Sequence, residues 1–239
     1  MSDIIGGTPQ DWLAVGWFTE DETYRTLAEK FAKNLSEHRI PYHLFSKPSL
    51  GAWNTQRKPA VVMEAMDLYP GRTIVLMDVD CIVRENIAPI ADIDGDIGIT
   101  VLAHNVRSGK FNRQCVNIDC SSRVVVFKPN ERARAFAEVW QRRVEQADLV
   151  NDEHAMVWAY LSSPSVEFAY IDQAYSGREV GQVPDAVICH DSAHDRQMKA
   201  AKTRGIRGWL RAIERRFFRT GRSKERKLAS ELAVMLKAG

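Results

Sequence analysis

The residues best suited to chemistry in this chain are two aspartates, Asp78 and Asp80, that follow an apolar run. The stretch from Thr73 to Glu85 reads Thr-Ile-Val-Leu-Met-Asp-Val-Asp-Cys-Ile-Val-Arg-Glu. Apolar residues without alternation predict a strand that is buried on both faces. Two aspartates at positions i and i+2 of such a strand share a face. Their carboxylates are costly to bury unless a positive charge meets them.

A divalent cation that prefers oxygen ligands is the partner that best meets these two carboxylates. Mg²⁺ and Mn²⁺ bind carboxylates and can neutralise a diphosphate on their far side. In open α/β sheets, ligands bind at the carboxyl ends of the strands. A D-x-D also arises by chance, and two solvated carboxylates at a strand end are the alternative. The apolar residues on both sides of Asp78 and Asp80 favour the metal, because the charges would otherwise be half buried.

The elements around this strand predict an α/β domain with a mostly parallel central sheet. A strand over 11–18, a helix whose apolar face extends to Leu35, and a strand over 42–45 form a βαβ opening. Such a unit favours parallel pairing with a right-handed crossover. Thr19 and Glu22 have capping-box spacing for the start of the helix. The first βα turn has neither a G-x-G-x-x-G nor a Walker lysine pattern, so a dinucleotide or ATP phosphate cradle is not supported.

The remainder of the chain continues the alternation of helices and strands. We expect helices over 60–68, 131–147 and from 152 onward, and strands over 97–103, 121–128, 166–171 and 186–189. The polar segment 104–119 is expected to be a long functional loop. Asp92, Asp94 and Asp96 alternate like the start of an EF-hand, but without its glycine and closing glutamate, so a solvated turn is expected.

Length and composition place the chain among cytoplasmic α/β proteins. The 239 residues, 45% of them hydrophobic, can bury a full core without disulfides. The four cysteines are scattered without a C-x-x-C pair, which argues against a structural zinc site. The start of the chain is polar, and no segment approaches the roughly 20 apolar residues that span a bilayer. We therefore expect a reduced, cytoplasmic protein.

The net charge of +2 conceals a strongly basic C-terminal segment. Residues 196–239 contain 14 Lys and Arg but 3 Glu, whereas the rest of the chain has 19 basic and 28 acidic residues. Residues from Ile206 to Phe217 show helical apolar spacing. We expect a domain over 1–199 and a basic amphipathic tail over 200–239 that binds the inner, anionic membrane surface. Packing of the tail on the domain is the alternative, and a nucleic-acid partner is not expected beside an acidic body.

The order of these segments resembles that of the GT-A-type nucleotide-sugar glycosyltransferases. The matching segments are Trp53-Asn54, Lys58-Pro59, Asp78-Val-Asp80, Asn86-Ile-Ala-Pro-Ile90, Ser121-Ser122, Asn151-Asp152-Glu153 and Ile188-Cys-His190. The resemblance spans about residues 11 to 199. It implies a single Rossmann-type domain and transfer of a hexose from a nucleotide diphosphate sugar to a glycan or lipid-linked acceptor. The pattern is most similar to that of retaining UDP-sugar enzymes.

The resemblance also implies a role for individual residues. Asp78, Asp80 and His190 would hold Mn²⁺ or Mg²⁺ on the diphosphate of the UDP-sugar. Asp152 and Glu153 would orient the sugar and the acceptor hydroxyl or stabilise an oxocarbenium-like centre. The residues expected to bind the sugar nucleotide are Phe18, Thr19, Tyr24, Asn54, Lys58, Asp78, Ser122 and Arg196. Of these, Lys58 and Arg196 would add positive charge at the diphosphate.

Departures from the family pattern leave two other functions open. The family's late motif H-x-x-G-x-x-K is His190, Ala193 and Arg196 here, and Glu153 replaces a glutamine. A phosphatase of the haloacid dehalogenase type also ends a strand with D-x-D, but near its N-terminus and followed by a residue pair such as Gly-Thr. A non-catalytic, membrane-associated scaffold with a degenerate transferase domain is the alternative that is not an enzyme.

Overall fold

The computed structural model describes residues 2–8, 10–49, 56–108, 113–146, 152–176, 178–179 and 185–190, with side chains outside 102–119 and 178–179. The chain divides into two units, Met1–Gln146 with Asn151–Asp191, and Ala147–Val150 with Ser192–Gly239. The described residues belong to the first unit. The tail predicted over 200–239 lies outside them, as do Asn54 and Arg196. In the described part of the chain, no helix has the length and apolar character that a bilayer crossing requires.

The N-terminal part of the domain has the βαβ arrangement that the sequence predicts. After β1 (Ile4–Gly6) come β2 (Trp12–Thr19), α1 (Glu22–Glu37) and β3 (Tyr42–Lys47). The predicted cap of α1 is wrong. The N-cap is Asp21, whose side chain accepts a hydrogen bond from the main-chain N–H of Tyr24, and Thr19 donates its hydroxyl hydrogen to Asp21.

The remaining elements follow in the predicted alternation. They are α2 (Lys58–Leu68), β4 (Thr73–Met77), β5 (Cys81–Val83), α3 (Ala88–Ala91), β6 (Ile97–Ser108), β7 (Arg113–Phe127), α4 (Glu131–Gln146), α5 (Asp152–Leu161), β8 (Phe168–Tyr170), a 3₁₀ turn (Gln173–Tyr175), β9 (Arg178–Glu179) and β10 (Ile188–His190). The loop predicted over 104–119 is wrong for its described residues, because β6 and β7 pair there, with His104 opposite Asn117. Ladder hydrogen bonds between residues 104–108 and 113–117 give the main-chain groups of this polar segment partners.

The sheet places the carboxyl ends of its central strands at one edge. Seven strands lie in the order β1-β3-β2-β4-β7-β6-β8. The neighbours β3, β2 and β4 are parallel, β7 runs antiparallel between β4 and β6, and β8 is parallel to β6. The α/β fold predicted from the sequence is confirmed. Since β2, β3 and β4 run in the same direction, the residues that follow them meet at the same edge.

The apolar run around Asp78 forms two strands rather than one. All five residues of β4 are buried, whereas β5 belongs to a second sheet of order β5-β10-β9. A turn joins them, in which the Cys81 N–H donates to the Asp78 carbonyl at 3.0 Å. The Asp78 N–H donates to the Arg123 carbonyl at 3.1 Å. Asp78 and Asp80 therefore converge through a turn, and their predicted position on one strand face is wrong.

The turn expected at Asp92, Asp94 and Asp96 is not fully solvated. Asp96 is 1% exposed, and its carboxylate accepts hydrogen bonds from the Asn130 side chain and the Glu167 N–H. Arg132 forms an ion pair with it at 2.8 Å. The carboxylate can be buried because each oxygen has a partner. Asp96 is therefore structural, which corrects the prediction from the sequence.

The side chain of Asn34 ties α1 to β5. Its Nδ2 donates to the Val83 carbonyl at 2.9 Å, and its Oδ1 accepts from the Val83 N–H at 2.7 Å. β5 also pairs with β10, where Cys81 lies opposite His190. The amide of Asn34 thus satisfies both main-chain groups of a buried residue. It supports the strand that follows Asp80 and, through that strand, the one that carries His190.

Replacement of Asn34 by Leu tests this support. We expect the free energy of unfolding to fall by about 1–3 kcal/mol, because both main-chain groups of Val83 lose their partners. Urea unfolding followed by circular dichroism measures the change. Lys33→Leu, at an exposed neighbouring position, is the control and should change the stability by at most about 0.5 kcal/mol. Equal losses in the two variants would contradict a specific role for the Asn34 amide.

Candidate active site

Two aspartates and a histidine meet where β4, β5 and β10 come together. Asp78 and Asp80 lie on the turn after β4, and His190 ends β10. His190 Nε2 is 3.0 Å from Asp80 Oδ1. One potential ligand atom from each of the three residues lies within 4.8 Å of the other two. The structure therefore brings together the three side chains that the sequence selected as metal ligands.

The chemistry of these groups fits a divalent cation. Carboxylate oxygens and an imidazole nitrogen form a ligand set that Mn²⁺ accepts readily. His190 is 8% exposed, and its Nδ1 has no hydrogen-bond partner among the residues that the structure describes. Buried polar atoms in folded proteins nearly always have a partner. The three side chains therefore offer the donor types that a divalent cation would accept.

A buried lysine links Asp78 to a second carboxylate. The Lys58 side chain, at the start of α2, is 3% exposed. Its Nζ lies 2.9 Å from Asp78 Oδ1 and 2.9 Å from Asp152 Oδ2. It also donates to Ser122, to the hydroxyl oxygen at 2.9 Å and to the carbonyl at 3.1 Å. Burial by itself would lower the pKa of Lys58, but Asp152 and Asp78 hold it well above its usual range.

Asp152 is held from three directions at the start of α5. Its carboxylate accepts from the Ser122 hydroxyl at 2.6 Å and pairs with Lys58, and the residue is 3% exposed. Its carbonyl accepts from Trp140 Nε1 at 3.0 Å. Trp140 is fully buried on α4. A negative charge at a helix N-terminus is also favourable because of the helix dipole. The carboxylate is therefore fixed in position rather than solvated.

Asp78 belongs both to the cluster with Asp80 and His190 and to the polar side chains around Lys58. Burial, together with the charges of Asp80 and Asp152, raises its pKa to about 6, against the lowering effect of the nearby Lys58 ammonium. Burial, followed by the charges of Asp78 and Asp80, also raises the pKa of the Cys81 thiol. Cys81 therefore stays protonated, which argues against a thiolate nucleophile. A cation beside Asp78 and Asp80 would favour their ionised forms.

The residues predicted to bind the nucleotide lie in different environments. Tyr24 is half-buried; burial and then the charges of Asp80, Asp21 and Asp78 raise its pKa, so its phenol lies close to the acidic cluster and stays neutral. Phe18 and Thr19 end β2 with side chains 2% and 0% exposed. Glu153 is half-buried beside Asp152. Nucleotide contacts of Phe18, Thr19 and Tyr24 stay predictions.

The sequence did not indicate that Lys58 and Asp152 form an ion pair. Lys58 was expected at the sugar nucleotide, and Asp152 at the sugar and the acceptor hydroxyl, with no contact expected between them. The sequence Lys58-Pro-Ala-Val-Val could have indicated the ion pair. The valines predict a buried helix start, and a lysine that is buried there needs an acidic partner. Asn34 and Trp140, which bond to main-chain groups of the site, carried no signal beyond helix periodicity.

Comparisons with known proteins give structural similarity only. No family model matches the sequence, and no curated protein matches it. Solved structures do match. The first is a glycosyltransferase involved in the glycosylation of the major capsid of PBCV-1, with 16% identity and a TM-score of 0.53 over 77% of this chain and 96% of that one. This similarity shows that the domain has the GT-A fold, as the resemblance in the sequence predicts.

Two further solved structures are similar over a comparable part of the chain. The glycosyltransferase GlyE of Streptococcus pneumoniae TIGR4 is 13% identical, with a TM-score of 0.48 over 77% of this chain and 55% of that chain. The galactosyltransferase LgtC, in a complex with analogues of its donor and acceptor sugars, is 11% identical. Its TM-score is 0.43 over 74% of this chain and 86% of that chain.

Replacement of Lys58 by Met tests the buried ion pairs. We expect a loss of about 3–5 kcal/mol in the free energy of unfolding, because Asp78 and Asp152 lose the cation that compensates their burial. Urea unfolding in the presence of EDTA gives the value without a contribution from metal. Lys47→Met is the matched control, since Lys47 pairs with Glu64 nearer the surface, and a loss of at most about 1 kcal/mol is expected there.

A double variant separates loss of charge balance from loss of packing. Lys58→Met with Asp152→Asn removes one ammonium and one buried carboxylate together. It should recover part of the stability that Lys58→Met loses, because one uncompensated charge is gone. If the double variant is less stable by the sum of the two single effects, Lys58 and Asp152 are not energetically coupled.

Proposed function

We propose that this chain, whose domain has the GT-A fold, is a metal-dependent glycosyltransferase. It moves a hexose from a nucleotide diphosphate sugar, which we take to be UDP-linked, onto a glycan or a lipid-linked acceptor. Because one fold serves many reactions, the residues of the site, and not the fold alone, support this function. Its main support is that the cluster of Asp78, Asp80 and His190 shares Asp78 with the buried ion pairs of Lys58.

The metal side of the site consists of Asp78, Asp80 and His190. These residues would hold Mn²⁺ or Mg²⁺, which when bound acts as a Lewis acid on the departing diphosphate. The chain keeps the two carboxylates close through the hydrogen bonds of the turn after β4. It keeps His190 beside Asp80 through the pairing of β10 with β5. The ligands are therefore positioned by main-chain structure.

Lys58 fixes the metal side of the site relative to the sugar side. The sequence suggests that it adds positive charge near the diphosphate, and that prediction stays open. Its Nζ already lies 2.9 Å from both Asp78 and Asp152. We therefore assign it mainly to positioning, since an ammonium held by two carboxylates prevents either from turning away. Fixed separation of reacting groups is a large part of enzymatic rate enhancement.

Asp152 and Glu153 form the sugar side. A fixed carboxylate at Asp152 would stabilise positive charge that develops at the anomeric carbon. Glu153, next to it in the first turn of α5, would accept hydrogen bonds from sugar or acceptor hydroxyls. Phe18, Thr19 and Tyr24 would contact the nucleotide, and Asn54, Ser122 and Arg196 the phosphates or the sugar. Binding of residues 200–239 to an anionic membrane remains a prediction.

Hydrolysis of a panel of UDP- and GDP-sugars with Mn²⁺ tests the reaction. We expect the full chain to hydrolyse at least one of these sugars slowly without an acceptor, and EDTA to abolish the activity. Asp80→Ala should lower kcat/KM by about 10²-fold or more, because the leaving group loses electrostatic stabilisation. Chromatography of the released UDP or GDP provides the rate.

Asp94→Ala is the matched control for this experiment, because Asp94 is an exposed aspartate outside the site. Its rate should equal that of the unaltered chain. Hydrolysis of p-nitrophenyl phosphate in place of every sugar nucleotide would support the phosphatase instead. If no sugar nucleotide reacts and Asp80→Ala binds UDP as well as the unaltered chain does, the proposed reaction is wrong.

Metal binding can be measured without turnover. Mn²⁺ at about 100 times its dissociation constant should stabilise the folded chain by about 2.7 kcal/mol, as for any ligand specific for the folded state. Chemical unfolding at several Mn²⁺ concentrations measures this effect. We expect His190→Ala to weaken Mn²⁺ binding at least tenfold, and His38→Ala, at the end of α1, to leave it unchanged. Equal stabilisation of both variants would exclude His190 as a ligand.

A further inference from the structure

A cavity lies on α4 and next to the end of α5. None of its lining residues belongs to the candidate active site. Its volume is about 300 Å³, at the lower limit of the range for ligand pockets. Val139, Arg142, Arg143 and Gln146 of α4 line it together with Ser162, which follows α5. Two positive charges therefore face a small, mostly polar space.

Neither arginine has a carboxylate partner in the described part of the chain. The acidic residues nearest to them along α4 are engaged elsewhere. Glu138 pairs with Arg134 at 3.5 Å, and Glu145 accepts from the Gln141 side chain at 2.8 Å. Arg142 is exposed and Arg143 is half-buried. Among the described residues, neither guanidinium group therefore has an acidic partner that would compete with a ligand.

The environment of Arg143 orients its guanidinium group. The group lies over the ring of Trp158, with 4.8 Å between the guanidinium carbon and the ring centroid. Trp158 is 7% exposed, so it forms a rigid base. Stacking uses the face of a guanidinium and leaves the N–H groups along its edge available. Arg143 can therefore donate two parallel hydrogen bonds without the entropy loss of an unrestrained arginine.

An unpaired hydroxyl completes the cavity. Ser162 Oγ is buried and has no hydrogen-bond partner among the described residues. The main-chain N–H of Ser162 bonds to carbonyls at the end of α5, so the residue is held at the helix end. A buried hydroxyl without a partner is unfavourable, because it has lost its hydrogen bonds to water. An anionic oxygen in the cavity would accept its hydrogen and remove that penalty.

We propose that this cavity binds a phosphate monoester group. A dianion matches the charge of two arginines, and the forked donors of guanidinium groups match phosphate oxygens. The cavity is large enough for the phosphate and a small organic part. The phosphate belongs either to a soluble phosphorylated molecule or to the headgroup of a phosphatidic acid lipid. The proposal is independent of the glycosyltransferase reaction, because it uses none of the residues assigned to it.

Calorimetric titration of the full chain with inorganic phosphate tests the proposal. The titration is carried out in EDTA at constant ionic strength, with chloride as the reference anion. We expect the variant Arg142→Gln with Arg143→Gln to bind phosphate at least tenfold more weakly than the unaltered chain. Lys30→Gln with Lys33→Gln is the matched control, because it removes the same charge from the exposed face of α1. Its affinity for phosphate should be unchanged.

Ser162→Ala keeps the charge and tests the cavity itself. It should weaken phosphate binding several-fold, because one donor is lost. Circular dichroism and the stabilisation by Mn²⁺, which should equal those of the unaltered chain, show that the arginine variant is folded. If the arginine and lysine variants lose affinity equally, phosphate binds through general charge and the proposal is wrong. It is also wrong if neither variant changes the affinity.

Vesicles identify the source of the phosphate. The unaltered chain is sedimented with phosphatidylcholine vesicles that contain either phosphatidic acid, a phosphate monoester, or phosphatidylglycerol, a diester, at matched surface charge, so that attraction of the basic residues 200–239 affects both alike. A preference for phosphatidic acid that the arginine variant loses and the lysine variant retains supports a lipid headgroup. If replacement of Arg142 and Arg143 weakens the binding of inorganic phosphate but not the binding to vesicles, the result supports a soluble phosphate monoester. No sensitivity in either assay overturns the proposal.

Discussion

The geometry of the candidate site depends on one buried ammonium group. Lys58 brings together the start of α2, the turn after β4 and the start of α5, with 2.9 Å from Nζ to an oxygen of Asp78 and to one of Asp152. Burial of a lone charge here would be strongly unfavourable, and so would burial of either carboxylate alone. Lys58 and Asp152 are buried together, and Asp78, whose side chain is 23% exposed, completes the group. Segments separated by up to 94 positions in the sequence, from 58 to 152, are held together in this way.

Hydrogen bonds to the main chain make this arrangement rigid. Asn34 bonds to both main-chain groups of Val83, and Trp140 Nε1 donates to the Asp152 carbonyl. The Asp78 N–H bonds to the carbonyl of Arg123 in β7. Each of these hydrogen bonds holds the backbone at or near a residue of the site, so the position of that residue depends little on flexible side chains. The supports come from α1, α4 and β7, which shows why a site of few residues needs the whole domain.

Local patterns in the sequence predicted much of the fold and part of the site. Leu27, Phe31 and Leu35 at helical spacing defined the buried face of α1, and the apolar run before Asp78 defined β4. Contacts between distant segments could not be predicted in this way. The burial of Asp96 against Asn130 and the pairing of residues 104–108 with 113–117 each depend on such contacts. The partners of Lys58 were missed for the same reason, since neither Ser122 nor Asp152 is near it in the sequence. The cap of α1 was missed for a different reason, because Thr19 and Asp21 are both local candidates and the side chain of Asp21, not that of Thr19, accepts from the Tyr24 N–H.

The net charge of the candidate site would be balanced by a divalent cation, whereas one additional lysine would leave it negative. Asp78, Asp80 and Asp152 contribute three negative charges, and Lys58 returns one positive charge, so two negative charges remain when His190 is neutral. A divalent cation at Asp78 and Asp80 would neutralise them. In the proposed reaction, the diphosphate of a sugar nucleotide would bring further negative charge, whereas Lys58 is already held by Asp78, Asp152 and Ser122. A further cation beside the metal would then stabilise the diphosphate, which is the role that the resemblance in the sequence implies for Arg196.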